Sequence, residues 1–175
     1  LLEKNIKVLG LDHLSTGRLS FLEKAQTNKN FQFLKHELMD EKKTKDVFLE
    51  FQPELVFHLA ANADVRFGLQ HPKKDIEQGT LVTFHVLEAS RLSNVKRIFY
   101  SSTGSVYGEP TVFPTPENAP FPIQTSLYAS SKLSGESLLS SYAIGFGIQA
   151  TIFRFVSILG PRYTHGHVFD FIKKI

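Results

Sequence analysis

Five strand-like runs alternating with helical patterns constrain this chain of 175 residues more than any other feature. Ile6 to Leu11, Phe31 to Leu34, Leu55 to Ala60, Arg97 to Ser102 and Ile148 to Phe155 are short and apolar, as strands buried on both faces are. Lys42 to Phe51, Pro72 to Ser93 and Ser126 to Phe146 read as helices. Pro72 suits a first helical turn, and Leu81, Phe84, Leu87 and Val95 mark an apolar stripe. A strand that returns beside its predecessor through a helix runs parallel to it, so the order predicts an α/β fold with a doubly wound parallel sheet. The Pro-rich stretch from Glu109 to Pro122 is expected to be a long ordered loop or lid and not a domain boundary, because motifs of one site lie on either side of it.

In such sheets the reacting groups gather beyond the carboxyl ends of the strands. There the sequence puts Thr103 and, on the next helix, Tyr128 and Lys132 in the string Tyr128-Ala129-Ser130-Ser131-Lys132. Residues four apart share a helix face, so an ammonium can sit beneath a phenol and favour its ionised form. Free tyrosine titrates near pH ~10, and lowering that by roughly 3 units takes about 4 kcal/mol. Lys132 and a second positive charge could supply it, with Tyr128 as base and the Thr103 hydroxyl beside it. A Tyr and a Lys four apart also occur on any amphipathic helix, so the pair gains meaning only from its context.

That context resembles a family. Phe99-Tyr100-Ser101-Ser102-Thr103-Gly104-Ser105-Val106-Tyr107-Gly108 is similar to the S-S-[ST]-x-x-V-Y-G segment of the extended short-chain dehydrogenase/reductases, above all their nucleotide-sugar epimerases and dehydratases. Val56-Phe57-His58-Leu59-Ala60-Ala61 resembles their V-x-H-x-A-A strand. Leu9-Gly10-Leu11-Asp12-His13-Leu14-Ser15-Thr16-Gly17 resembles V-D-N-L-S-x-G, and Arg154-Phe155-Val156-Ser157-Ile158-Leu159-Gly160-Pro161-Arg162 resembles R-x-x-N-x-x-G-P-R. With Tyr128 to Lys132 these make five segments in the family's order, spanning nearly the whole chain.

The resemblance implies a Rossmann-type NAD-binding domain over residues 1–156 and the start of a substrate-binding region over 157–175. Asp12 would accept hydrogen bonds from the adenosine ribose hydroxyls, and its charge would repel a 2′-phosphate, favouring NAD over NADP; read by itself, it is equally a turn residue. Ser15, Thr16 and Gly17 would line the same ribose edge, and Glu37 and Leu38 the adenine, with Glu37 standing where the family usually has Asp. Leu59, Ala60 and Ala61 would run along the cofactor, and Asn62 and Ala63 continue that loop. Val156 would abut the nicotinamide, and Lys132 would bind the nicotinamide ribose. Tyr128 would take the proton of a sugar hydroxyl while hydride leaves the same carbon for NAD, with Thr103 hydrogen-bonded to that oxygen. Thr103, Tyr128 and Ser157 would therefore also touch substrate.

Three departures bear on activity. Gly79 stands where the family carries an Asn that supports the backbone near the lysine, and Ser157 where relatives place an Asn that touches the sugar nucleotide. Gly104 and Ser105 follow Thr103, where sugar 4,6-dehydratases carry an acidic residue. The last departure favours a 4-epimerase over a dehydratase, and the resemblance implies an NAD-dependent reaction on a UDP-glucose/UDP-galactose type substrate through a transient 4-keto intermediate, in a homodimer joined through the two long helices. A dehydratase or decarboxylase of the same family, or a catalytically impaired nucleotide-binding protein, is the alternative.

Composition narrows the remaining classes. An apolar fraction of 42% suits a globular domain with a core. The net charge of +3 is small, and the basic cluster Lys42, Lys43 and Lys45 is flanked by Glu41 and Asp46, which reads as a solvated helix start and not a nucleic-acid footprint. Cysteine is absent, which excludes disulfides and thiolate zinc sites. His165 and His167 lack a third ligand, so no metal is expected. No apolar run reaches the ~18 residues that span a bilayer and no signal peptide opens the chain, so a soluble cytoplasmic protein is expected. The glycine-rich turn that receives a pyrophosphate is missing, and Leu1-Leu2-Glu3-Lys4 resembles the tail of the helix that follows it, so the chain is expected to be a fragment without its first strand. Gly145-Phe146-Gly147-Ile148-Gln149-Ala150 fits G-x-G-x-x-A but follows a helix and leads into a strand, the reverse of the required order.

Overall fold

The computed structural model describes residues 1–62, 65–121, 123–162 and 167–175, residues 65–67 and 167 by backbone alone. Its strands are β1 (Val8–Asp12), β2 (Phe31–Lys35), β3 (Leu55–His58), β4 (Arg97–Thr103) and β5 (Gln149–Phe155). The α-helices are α1 (Glu23–Gln26), α2 (Glu41–Phe51), α3 (Val65–Gln70), α4 (Pro72–Asp75), α5 (Val82–Leu92), α6 (Leu127–Phe146) and α7 (His167–Lys174). A π-helical turn, Ile76–Leu81, joins α4 to α5, and a 3₁₀ turn, Gly104–Tyr107, follows β4. Helix ends are fixed locally. The Asp40 carboxylate caps α2 by accepting from the Lys43 N–H at 3.1 Å, and Ser126 Oγ caps α6 by accepting from the Ala129 N–H at 3.1 Å. Gly147, at φ 71°, closes α6 in the left-handed conformation.

All strand pairs are parallel, as the alternation demands. They form two ladders where the sequence suggested one sheet. β1 pairs with β2 in the register Val8 to Phe31 and Asp12 to Lys35, while the second ladder has the order β3-β4-β5. In it Leu55 faces Arg97 and His58 faces Tyr100, then Arg97 faces Gln149 and Thr103 faces Phe155. Among the described residues no strand joins the ladders.

The core lies where α2, α5 and α6 pack over the β3-β4-β5 ladder. Phe48, Val86, Leu87, Val95, Ile98, Tyr100, Leu139, Tyr142 and Ile148 are all buried there. The opposite face of this ladder carries Phe57, Phe99, Phe153 and Phe155: Phe57–Phe99 and Phe99–Phe153 stack across neighbouring strands at centroid distances of 5.0 and 5.9 Å, and Phe153–Phe155 along β5 at 5.4 Å. Three of them, Phe57, Phe153 and Phe155, are partly open to solvent. No helix among the described residues is long and apolar enough to cross a membrane.

The inward face of the helical segment from Pro72 to Leu92 differs from the sequence expectation. Leu81 and Phe84 are exposed, whereas Asp75, Gly79, Val82, Thr83, Val86, Ala89 and Ser90 are buried. The period is helical, yet the buried positions are mostly small or polar, because this face meets α6 at close range. A Cβ built on Gly79 would lie 2.7 Å from Ser131 Cβ. Hydrophobicity alone therefore misphases the stripe.

Two buried histidines tie helices to strand ends: His36 Nε2 lies 2.8 Å from Thr44 Oγ1, and His58 Nε2 lies 2.9 Å from Thr83 Oγ1. Burial, reinforced by the Lys132 charge, pushes the His58 imidazole down to about 3. Unfolded histidine binds its proton near pH ~6.5, so on acidification the unfolded chain gains a proton that the fold rejects until about pH 3, and stability falls as pH drops through that window. At pH 5 the loss through this group is ~2 kcal/mol. Urea unfolding of His58→Gln should show a shallower decline between pH 7 and pH 5 than the native chain; parallel pH profiles would contradict the assignment.

Candidate functional site

The carboxyl ends of β3, β4 and β5 and the first turns of α6 converge on one place. Thr103 ends β4, is 8% exposed, and accepts a hydrogen bond from the Ser105 N–H at 3.1 Å, so the 3₁₀ turn that follows fixes its rotamer. Its hydroxyl donates to Ser105 Oγ at 3.2 Å and stands beside the Tyr128 phenol, whose ionised form it favours. One turn further along α6, Lys132 is 2% exposed; its ammonium donates to the Ser101 carbonyl at 2.5 Å and lies 4.8 Å from the centre of the Tyr100 ring. Thr103, Tyr128 and Lys132 thus stand around the end of a single strand.

Their electrostatics depart from expectation in one respect. Burial raises the Tyr128 phenol above its ordinary value; the neighbouring Thr103 hydroxyl opposes this and the Asp75 carboxylate adds to it. Lys132 does not lower it, because the ammonium is turned to Ser101 and the Tyr100 face. Burial in turn lowers Lys132 to about 8, since a cation with one carbonyl partner is poorly solvated. In the ligand-free chain Tyr128 is a protonated phenol, and a further positive charge is needed to make it a base.

Glu136, one turn beyond Lys132, is 5% exposed and anchors the floor of the site. Its carboxylate accepts from the Ser102 hydroxyl and from Arg154, whose Nη2 lies 2.9 Å from Oε2. Arg154 also donates to the Tyr107 hydroxyl at 2.6 Å and the Glu117 carbonyl at 2.8 Å, and lies 4.8 Å from the Phe121 ring centre. A buried pair with its remaining hydrogen bonds satisfied fixes geometry more than it stabilises. Here it ties β4, β5, α6 and the loop from Glu109 to Phe121 together, in keeping with an ordered loop; Pro122 lies outside the described residues.

The other sequence-derived positions form two groups. Leu59 and Ala60 are exposed beyond the end of β3, with Ala61 and Asn62 partly covered, and Val156 is 84% exposed beyond β5, its Cγ2 3.1 Å from where a Gly104 side chain would begin. Ser157 follows, also exposed. On the first ladder, Asp12 ends β1 and its Oδ1 accepts from the Leu14 N–H at 2.6 Å. Gly17 lets the loop carrying Ser15 and Thr16 close over Asp12, since a Cβ there would meet its Oδ2 at 2.9 Å. Glu37 Oε1 accepts from the Met39 N–H at 3.0 Å, and Leu38 packs against the core. His13 lies between the two carboxylates, 3.8 Å from Asp12 and 3.7 Å from Glu37, a position the sequence reading passed over. Arg162 donates to the Phe21 carbonyl at 2.6 Å. Ala63 and residues 163–166, His165 included, lie outside the described residues, as does the side chain of His167. Among the described residues no group of three or more His, Asp or Glu side chains could hold a metal.

This donor set fits the two ends of a nicotinamide dinucleotide. A carboxylate at the end of β1 suits ribose hydroxyls, an exposed apolar strip beyond β3 and β5 suits ring faces, and a buried cation beside a phenol suits the redox end. Asp75 was missed as a neighbour of the site, while the sequence reads Asn62 as continuing the loop after β3. An ionisable residue at an inward helical position, one turn before a glycine, was the available signal.

The comparisons agree. The NAD dependent epimerase/dehydratase family model matches residues 1–175. The chain is 35% identical over 156 residues to the UDP-glucose 4-epimerase of Mycolicibacterium smegmatis, covering 89% of this chain and 49% of that protein. It superposes on the UDP-glucose 4-epimerase of Thermotoga maritima, solved with UDP-glucose, with TM-score 0.87 and 34% identity over 96% of this chain and 54% of the other. The NAD complex of the Thermus thermophilus enzyme gives TM-score 0.80 and 32% identity over 97% and 53%. The chain thus spans about half the length of these relatives, and it belongs to the NAD dependent epimerase/dehydratase family.

Proposed function

We propose that the protein containing this chain is an NAD-dependent 4-epimerase of UDP-glucose/UDP-galactose type sugars. The observation that carries the reading is the Thr103 hydroxyl beside the Tyr128 phenol at the end of β4, with Lys132 buried one turn away and donating to the Ser101 carbonyl of the same strand. NAD, when bound, supplies a hydride acceptor that returns the hydride to the same carbon. The chain's own groups do the rest. Tyr128 would accept the proton of the sugar hydroxyl, Thr103 would hydrogen-bond that oxygen, and Lys132, now on the Ser101 carbonyl, would hold the nicotinamide ribose. Asp12 with Ser15, Thr16 and Gly17 would hold the adenosine ribose, Glu37 and Leu38 the adenine. Leu59, Ala60, Ala61 and Val156 would flank the cofactor, and Ser157 would meet the substrate.

Residues 1–156 are read as the cofactor-binding unit and 157–175 as the first part of the substrate wall. A further parallel strand between the two ladders would complete one sheet. The partly open aromatic face of β3-β4-β5 is then a surface for the remainder of the protein. For a homodimer the support is the open groove of ~540 Å³ along α6, lined by Thr80, Ser130, Leu133, Ser134 and Ser137. Gly104 after Thr103 favours epimerase over dehydratase, since it offers no acid to expel water. The close Gly79–Ser131 contact is the support for activity over impairment, because Ser131 fills the space beside the glycine.

Tyr128→Phe in the complete protein should lower UDP-glucose/UDP-galactose interconversion by roughly 10²–10⁴-fold, the usual range for losing an acid–base group, as read by coupled assay; unchanged turnover would remove Tyr128 from the role. Lys132→Met should abolish turnover yet raise the free energy of unfolding by ~1–3 kcal/mol, read as a higher urea midpoint, because a buried cation is replaced by an apolar side chain of like length. A lowered midpoint would contradict the account of Lys132 as a functional and not a structural cation.

A further inference from the structure

The two crossovers β3-to-β4 and β4-to-β5 each join parallel strands, so the helical segment from Pro72 to Leu92 and helix α6 run in the same direction. The Gly79–Ser131 contact sets their register. One turn towards the N-terminus of each lies Asp75, four residues before Gly79, and Tyr128, three before Ser131. Asp75 is 1% exposed. Its Oδ1 accepts from Asn62 Nδ2 at 2.9 Å, and its Oδ2 is buried without a hydrogen-bond partner. Gly68 makes the space: a Cβ there would overlap Oδ2.

A buried carboxylate with one oxygen unsatisfied costs stability, and the Asn62 hydrogen bond accounts for only one of its two oxygens. We propose that Asp75 is a positioning residue for the Tyr128 phenol: its carboxylate, held by Asn62, faces the phenol across the helix pair and sets how much positive charge the site must gain before Tyr128 ionises. The inference rests on the reading of Tyr128 as the acid–base group. Among the described residues the ionisable neighbours of the phenol are Asp75 from α4, Tyr100 from β4 and Lys132 on its own helix. His58 from β3 stands beside Lys132, and burial keeps it neutral. Only Asp75 places a negative charge toward the phenol, and its field adds to burial in keeping the proton on. Through Asn62 the same carboxylate holds the loop after β3, so the base and the cofactor-facing loop share one anchor.

The test is a pH titration of the protein carrying ¹³Cζ-labelled tyrosine, with the Tyr128 resonance assigned by its loss in Tyr128→Phe. Asp75→Asn removes the charge at constant shape and should move the Tyr128 midpoint down by about one unit. Asn62→Ala leaves the charge and removes its hydrogen-bond donor, so the midpoint should move up. A merely structural role would loosen the site, admit water, and move the midpoint down in both variants. That result, or an unmoved midpoint in Asp75→Asn, overturns the proposal. Should Asp75→Asn fail to fold, Asn62→Ala decides alone: a rise supports the proposal, and a fall or no change overturns it. The titration needs no turnover, so it is separable from the acid–base reading, which falls instead if Tyr128→Phe remains fully active.

Discussion

The close approach of two parallel helices at Gly79 and Ser131 governs the rest of the structure. Neither that contact nor the seat of α6 on β4 leaves room for a side chain: one on Gly79 would run into Ser131, and one on Gly135 into the Tyr100 ring, 2.7 Å from its Cζ. The first restriction sets the register that brings Asp75 level with Tyr128. The second lets α6 lie flat on β4, so that Lys132 covers the Tyr100 ring and Glu136 reaches Ser102. Three successive turns of α6 therefore deliver a phenol, an ammonium and a carboxylate to the end of one strand. The π-helical turn around Gly79 belongs to the same adjustment, as such turns commonly mark functional sites.

Stability is spent at this place. A lysine with a single carbonyl partner, a carboxylate with an empty oxygen and a phenol held above its usual range are each unfavourable in a ligand-free fold. Arg154 and Glu136 hold the surrounding elements in position, and the aromatic rings of Tyr107 and Phe121 cover the guanidinium at 4.9 and 4.8 Å. Groups poised against their own solvation are what a proton-transfer site needs, since their ionisation then responds to whatever charge arrives.

The sequence made the five strands and three long helices legible to within two residues at most ends, because short apolar runs and helical periods are local signals. The grouping of Thr103 with Tyr128 was legible through strand-end topology. What stayed hidden depends on approach distance. Leu81 and Phe84 looked like core because they are large and apolar, but the inward face uses Gly79, Thr83 and Ser90, which hydropathy ranks low. Asp75 was invisible for the same reason. The direction of the Lys132 ammonium was equally beyond reach: helical spacing places it near the phenol but cannot say that Ser101 and the Tyr100 ring claim it first.

The central claim is that one substrate oxygen meets both the Tyr128 phenol and the Thr103 hydroxyl. A crystal structure of the complete protein with NAD and a UDP-sugar tests it most directly. The account predicts both oxygens within hydrogen-bond distance of the same sugar hydroxyl, with the Lys132 ammonium moved from Ser101 to the nicotinamide ribose. A sugar bound with Tyr128 still sealed against Asp75 and Thr103, and Lys132 still on Ser101, would contradict it.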